Sequence, residues 1–428
     1  LFTTVKPNII RSLDNGFVMK FVSTPEDIER LAVFNAHIHH DEIVAQITRG
    51  LIQYHSHTRP EEWPFIEDES TGEIVSALCL IPWTWRYEDV TLKAGEMGIV
   101  GTLENYRRRG LIRALDGYFK KLLRDGEYDL SQIQGIPYYY RQFGYEYALP
   151  LEGGWQIRRD QIPNDLPEAA QGFSFRLAGP DDLPVLMRLY DEAARDLDIS
   201  AVRDLDSWRY LIEHQIYTAS GADTWMVLDT GGVPVGYFRL AKFGFGAGLI
   251  VEEASRLSHP AAMAAMNKIK ALSDEWEKPY IRLSAPDTSP IVRVARSWGA
   301  HSQDRYAWQI HLPDVIRLLR QIAPVLERRI AASSLAGMTE TVLINLYRDA
   351  VELHIKNGKI AAVTAAGFRN WEESSINIPP LLFAPLVLGY RSREELAQTY
   401  PDMGIWGQSQ YLIDVLFPKM TAFIHTIY

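Results

Sequence analysis

Apolar positions in this chain of 428 residues follow two rhythms, and the changes from one to the other mark out its elements. From Leu111 to Leu123 the apolar residues recur with helical spacing, which predicts an amphipathic helix. The run before it, Met97-Gly98-Ile99-Val100-Gly101-Thr102, reads as a strand. Further on, Val315, Leu318, Leu319, Ile322, Val325 and Leu326 predict one helix over Asp314 to Ala331. Two β-like runs follow, Thr341–Tyr347 and Ala350–Ile355, then an Asn357-Gly358 turn and a third run, Ile360–Thr364. These make a small antiparallel sheet with flanking helices.

The pattern also repeats. Met19 to Leu31 and Phe175 to Leu186 each place a short strand before a Pro-acidic-acidic helix start, Pro25-Glu26-Asp27 and Pro180-Asp181-Asp182. Each copy then reaches a hairpin. The first runs from Phe65-Ile66-Glu67 through Gly72 to Ile74–Ile81, the second from Trp225–Leu228 through Gly231-Gly232 to Val235–Leu240. A break at Gly153-Gly154 and a polar connector from Arg158 to Gly172 separate them. Two related α/β units in tandem is the simplest reading.

The turn between the first strand and helix changes the picture most. Tyr106-Arg107-Arg108-Arg109-Gly110-Leu111-Ile112-Arg113 is a basic, Gly-bearing bend that opens a helix. Such a bend presents free N–H groups and the positive end of the helix dipole to an anion, and successive amides can cradle a pyrophosphate. Three arginines at a helix start also serve commonly as a solvated face. They stand out here because the whole chain carries a net charge of −10, which argues against nucleic acid or anionic membrane as the partner and favours cationic ligands. Cys79 is the only cysteine, so no intrachain disulfide is possible and a reducing compartment is expected. Ile378 to Leu388 is too short to span a bilayer, and Leu1 to Phe17 lacks the pattern of a signal peptide, so a cytoplasmic location is expected.

Val100-Gly101-Thr102 followed by Tyr106-Arg107-x-x-Gly110 resembles the acetyl-CoA pyrophosphate loop of the GNAT N-acetyltransferases. Gly135-Ile136-Pro137-Tyr138-Tyr139-Tyr140-Arg141-Gln142-Phe143-Gly144-Tyr145 resembles the Tyr-x-x-x-Gly-Phe element of that superfamily. With the tandem second unit, nearly the whole chain is similar to the Eis-like branch (enhanced intracellular survival proteins). One departure is Ile112, where most of the superfamily has Gly or Ala. The resemblance implies an α/β (α+β) fold class: tandem GNAT-type mixed sheets with flanking helices, then a sterol-carrier-protein-like α+β domain. The implied boundaries are a catalytic GNAT domain at 1–155, a degenerate GNAT-like domain at 156–311, and the C-terminal domain at 312–428. It further implies acetyl-CoA as cosubstrate, no metal, direct transfer to a primary amine, and a homo-oligomer, hexameric in that branch. Aminoglycosides, polyamines and lysine-type amines are the acceptors it suggests.

Carried onto this chain, the resemblance gives the cosubstrate site as Val100, Gly101, Thr102, Arg107, Arg108, Arg109, Gly110, Leu111, Ile112 and Arg113, with Gly135 and Ile136 on the next strand lining the other side. It gives Tyr140 as general acid to the leaving thiolate, with Tyr138, Tyr139 and Tyr145 as competitors. Read from the residues alone, these aromatics are core on a buried strand, with Tyr138 and Tyr140 on one face. The base implied is the carboxylate of Tyr428, acting through water, with His425 as a fallback.

Other features carry less. His37-Ile38-His39-His40-Asp41-Glu42, with His55 and His57, lacks a metal-binding pattern and reads as a solvated or substrate-lining helix. Trp83 and Trp85 share one face of a strand, either as core or as lining of an amine cleft. In the second unit Val251-Glu252-Glu253-Ala254-Ser255-Arg256 stands where the basic turn would be, and its carboxylates would repel a pyrophosphate. That unit is expected to wall the substrate cleft and support assembly. The competing function is a non-catalytic coenzyme A or lipid-binding sensor.

Overall fold

The computed structural model describes residues 8–151, 154–215, 221–241, 244, 246–304 and 306–428; of the expected break at Gly153-Gly154, the first residue lies outside that set. The first region runs β1 (Ile9–Leu13), β2 (Phe17–Phe21), α1 (Pro25–His39), α2 (Ile43–Tyr54), β3 (Pro64–Asp68), β4 (Glu73–Tyr87), β5 (Val90–Thr102), α3 (Leu111–Asp125), β6 (Leu130–Ile133) and β7 (Glu146–Pro150). The second runs β8 (Gly154–Arg158), β9 (Ser174–Leu177), α4 (Leu183–Ala194), β10 (Ile199–Ala201), α5 (Leu205–Glu213), β11 (Ala222–Leu228), β12 (Pro234–Ala241), β13 (Leu249–Ala254), α6 (His259–Glu275), β14 (Tyr280–Leu283), α7 (Pro290–Ser297), β15 (His301–Gln303) and β16 (Ala307–His311). The last runs α8 (Val315–Gln321), α9 (Ala323–Ala331), β17 (Glu340–Asn345), β18 (Ala350–Lys356), β19 (Lys359–Ala365), β20 (Ile376–Asn377), α10 (Pro380–Val387), α11 (Arg393–Thr399), β21 (Gly404–Ile405), α12 (Gln408–Leu416) and β22 (Ala422–Phe423).

The fold is mixed α/β, built on three sheets. In the first, β4 and β5 form a long hairpin covered on both faces, so its strands are buried almost continuously rather than alternately. Leu78 and Leu80 meet Leu111, Leu115, Phe119 and Leu123 of α3 on one side. Cys79, Ile81, Trp83 and Trp85 meet Leu31 and Phe34 of α1 on the other. Thr24 caps α1 in a reciprocal box with Asp27, and Asn35 donates to Thr48 across α1 and α2. The second sheet is ordered β15-β8-β14-β13-β12-β11-β9.

The two sheets interlock. β16 inserts between β6 and β7 of the first, while β8, next in sequence after β7, pairs with β14 and β15 of the second. β10 pairs with the end of β4, and β22 runs parallel to β10, which brings the C-terminal tail between the sheets.

Two expectations need correction. The helix over 314–331 is two helices, α8 and α9, because Pro324 in the first turn of α9 has no N–H to continue a ladder. The Tyr138–Tyr145 stretch is not a strand: β6 stops at Ile133, and Tyr139–Phe143 is a 3₁₀ turn ended by Gly144 at φ 92°. The Asn357-Gly358 hairpin turn is as expected, with both residues at positive φ.

Candidate active site

β5 and β6 are parallel neighbours only from Ala94↔Leu130 to Glu96↔Gln132. Beyond that point the strands part, and the edge of β5 from Met97 to Thr102 faces a cavity of about 1220 Å³. A bulge sits here. Ala77 pairs with Gly101 and Cys79 with Gly98, so β5 holds one extra residue, and Ile99 takes φ 46° to accommodate it. The bulge kinks β5 where its unpaired edge can hydrogen-bond an extended ligand as an added strand.

At the far end of that edge lies the basic turn. Arg108 has φ 64° and Gly110 φ 79°, so left-handed residues alternate with ordinary ones and form a concave run of amides. Gly110 is the N-cap of α3 without any side-chain cap, which leaves the first amides of that helix open to a ligand. A β-carbon on Gly110 would meet nothing within 4 Å. Val100, Gly101, Thr102, Arg107, Arg108, Gly110, Leu111, Ile112 and Arg113 all border the cavity.

Arg109 does not. Its guanidinium donates to the Asn105 carbonyl at 3.2 Å and lies over the Tyr106 ring, so it buttresses the turn. Gly101 borders the cavity, yet what requires a glycine there is packing, since a β-carbon would sit 2.4 Å from Ile38 of α1. Gly135 and Ile136 lie past the end of β6 rather than on a strand. Ile136 borders the cavity, whereas the Gly135 carbonyl is taken by Gln309 at 2.9 Å. Gly135 matters differently: a β-carbon would come within 2.2 Å of the Tyr140 ring, so only glycine admits that ring.

Tyr140 itself is 7% exposed and borders the cavity, packed on Tyr139, Phe143 and Tyr145. Its hydroxyl makes no hydrogen bond among the described residues, and burial pushes its pKa well above the ordinary phenol value, so it holds its proton. Of its competitors, Tyr145 is fully buried and bonded to Ser131, and Tyr138 is 74% exposed. Tyr139 borders the cavity beside Tyr140.

The tail reaches the same cavity. The Tyr428 phenol shares a hydrogen bond with Glu96, and its main-chain oxygen accepts one from the Thr426 hydroxyl at 2.5 Å. Glu96 is the functional group that sequence reasoning missed. It is 3% exposed in the middle of β5, accepts from Trp83 Nε1 at 2.9 Å, and is pushed up to about 8 by burial, against the lowering effect of its hydrogen bonds from Tyr428 and Trp83. The available signal was a carboxylate inside a strand whose neighbours are apolar or glycine.

Ile38, Val44, Ile47 and Met97 also border the cavity. Among the described residues Glu96 is the only Asp or Glu side chain bordering the cavity, so the acidic excess of the chain does not gather there. Trp83 stands at the site against Tyr428 and Glu96, while Trp85 is core. His425 is not in the site but lies in the second sheet's cleft, against Glu253. The His37–His40 segment ends α1, with His39 at the cavity, and no group of three or more His, Cys, Asp or Glu side chains is placed to hold a metal among the described residues. No helix among the described residues is long and apolar enough to cross a membrane.

Residues 40–148, which contain β5, the basic turn, α3 and Tyr140, match the family described as Acetyltransferase (GNAT) domain. No curated protein sequence matches the chain. Its fold is similar to that of a conserved protein of unknown function from Enterococcus faecalis, a probable N-acyltransferase, at 15% identity and TM-score 0.72 over 96% of this chain and 99% of that one. It is also similar to a GCN5-related N-acetyltransferase from Anabaena variabilis, at 16% identity and TM-score 0.69 over 95% and 99%. Eis1 from Mycobacterium abscessus matches at 16% identity and TM-score 0.64 over 96% and 100%. Residues 40–148 thus match a GNAT acetyltransferase domain, and the chain as a whole shares the fold of these solved proteins.

Proposed function

We propose that the protein is an N-acetyltransferase that moves the acetyl group of acetyl-CoA to a primary amine in a ternary complex. The observation that carries this is one continuous cavity bordered by an uncapped basic helix start, by the buried, proton-bearing phenol of Tyr140 and by the carboxyl group of Glu96. Acetyl-CoA fits this frame as a substrate. Its diphosphate meets the amides of Arg108 to Arg113, its pantetheine arm lies along the unpaired edge of β5, and Arg107, Arg108 and Arg113 add charge. The amine nitrogen attacks the thioester carbonyl and the carbon–sulfur bond breaks. Tyr140 gives its proton to the leaving thiolate, and the ammonium proton of the new amide passes to a base.

That base is the carboxylate of Tyr428, in a chain that ends there, acting through a water molecule. A second reading makes Glu96 the base, and its value of about 8 supports it, since a base titrating near the working pH is the most effective. The apolar lining that Ile38, Val44, Ile47 and Met97 give the cavity suits an amine carried on a hydrophobic body, and a lysine-type or monoamine acceptor fits it better than a polycationic aminoglycoside or polyamine. The second sheet is a degenerate GNAT-like unit, the region from 312 onward is sterol-carrier-protein-like, and the chain assembles into a homo-oligomer.

The test is thiol release from acetyl-CoA with a panel of amines, peptides, polyamines and aminoglycosides. Turnover that Tyr140→Phe abolishes supports the reading. Coenzyme A binding with no turnover on any acceptor would favour a sensor instead. Residues appended after Tyr428 are expected to cut turnover more than acetyl-CoA affinity, and unchanged turnover would transfer the base to Glu96.

A further inference from the structure

The second sheet has its own cleft, and what fills it is the C-terminal tail. β13 and β14 are parallel from Leu249↔Ile281 to Val251↔Leu283, and β13 then bulges at Glu252, because Arg239 pairs with Glu253 and Leu240 with Val251. This repeats the parting and the bulge of β5. Only about 30 Å³ stays open, however, and His425 borders that space.

Glu253, directly after the bulge, is 2% exposed and forms a two-point pair with Arg203, with contacts of 2.9 and 2.6 Å. The Arg203 guanidinium lies between the rings of Tyr190 and Trp208, at 4.4 and 4.7 Å. Tyr237 donates to the same carboxylate, and His425 Nδ1 stands 3.8 Å from it. Burial opposes the charge on Glu253, yet Arg203 and His425 pull it down to about 2, so the pair is fully ionised. The remaining donor of the guanidinium, Nε, reaches the Thr426 carbonyl at 2.9 Å. Thr426 in turn donates its hydroxyl to Tyr428.

We infer that Arg203, fixed by Glu253, is a positioning residue that clamps Thr426 and so delivers Tyr428 to the cavity of the first sheet. The inference rests on the proposed role of Tyr428 for its effect on turnover, but not for the clamp itself. A planar guanidinium uses one edge on the carboxylate and keeps Nε for the tail. A lysine at the same place keeps the charge and loses this three-point geometry.

The experiment compares full-length wild type, Arg203→Lys and Arg203→Gln by hydrogen exchange with mass spectrometry, alongside steady-state kinetics. Exchange of the segment 424–428 is expected to rise about tenfold or more in both variants, with β12 and β13 staying protected in Arg203→Lys. The kcat is expected to fall about tenfold, while KM for acetyl-CoA stays within about twofold. Unchanged tail exchange would overturn the clamp whatever the activity. Equal loosening of β12, β13 and the tail in both variants would also overturn it, because Arg203 would then be a general structural support. A loosened tail with full turnover would leave the clamp standing and remove Tyr428 from the mechanism.

Discussion

In the first sheet the parallel pair β5–β6 parts after Glu96↔Gln132 and leaves about 1220 Å³; in the second, β13–β14 parts after Val251↔Leu283 and leaves about 30 Å³. Both wedges begin with the same one-residue bulge. What differs is the stretch after it. The first sheet has a long basic turn with left-handed residues at Arg108 and Gly110, and its helix starts uncapped. The second goes directly to Ser258, whose hydroxyl accepts from the Ala261 amide, and to Pro260, which has no amide to offer. One architecture therefore yields an open cavity where the helix start is left unsatisfied. Where the start is capped, the same wedge becomes a socket for the chain's own tail.

The difference can be broken most strongly at the reacting end. Tyr140→Phe is expected to lower turnover by about 10²–10⁴-fold with acetyl-CoA affinity nearly unchanged, read by kcat and by calorimetry. At the basic turn, Gly110→Val forces a β-branched residue to φ 79° and strains the run of amides. It is expected to raise the dissociation constant of acetyl-CoA about tenfold or more, with turnover at saturation largely kept.

Glu96 sharpens the comparison through pH. Its value of about 8 lies above the ordinary 4.5, so the folded protein holds an extra proton between these values. The stability this contributes is complete below about pH 4.5 and is lost as pH rises towards 8. In Glu96→Gln, thermal unfolding should therefore vary less over that window than in wild type. If Glu96 is the base, a limb of kcat/KM near 8 should vanish as well.

The smallest effect is expected in the second sheet. Ser258→Ala should cost about 1 kcal/mol of stability and create no coenzyme A site, since the tail still fills the wedge.

Much of this was legible in the residues because it is local. The strand before Arg107, the helix after Gly110 and the two hairpins follow from periodicity and turn chemistry over short stretches. The acidic second turn was read only for its charge, whereas its Glu253 carboxylate is buried and holds Arg203. Spacing to Gly144 singled out Tyr140, which borders the cavity, while its placement on a strand was wrong. The chain turns at Gly135, where tight packing against the Tyr140 ring demands glycine, and periodicity does not register that contact.

What depends on distant pairing was not legible. The exchange of β8 and β16 between sheets joins segments about 150 residues apart in sequence, as does the Arg203–Thr426 contact at a separation of 223. Glu96 was passed over because a single carboxylate in an apolar strand becomes informative only once Trp83 and Tyr428 are seen around it.

Calorimetric titration of acetyl-CoA into the full-length protein tests the contrast between the two wedges most directly. The account predicts one molecule bound per chain, weakened by salt and by Gly110→Val and untouched by Ser258→Ala. Two molecules per chain, or none, would contradict it.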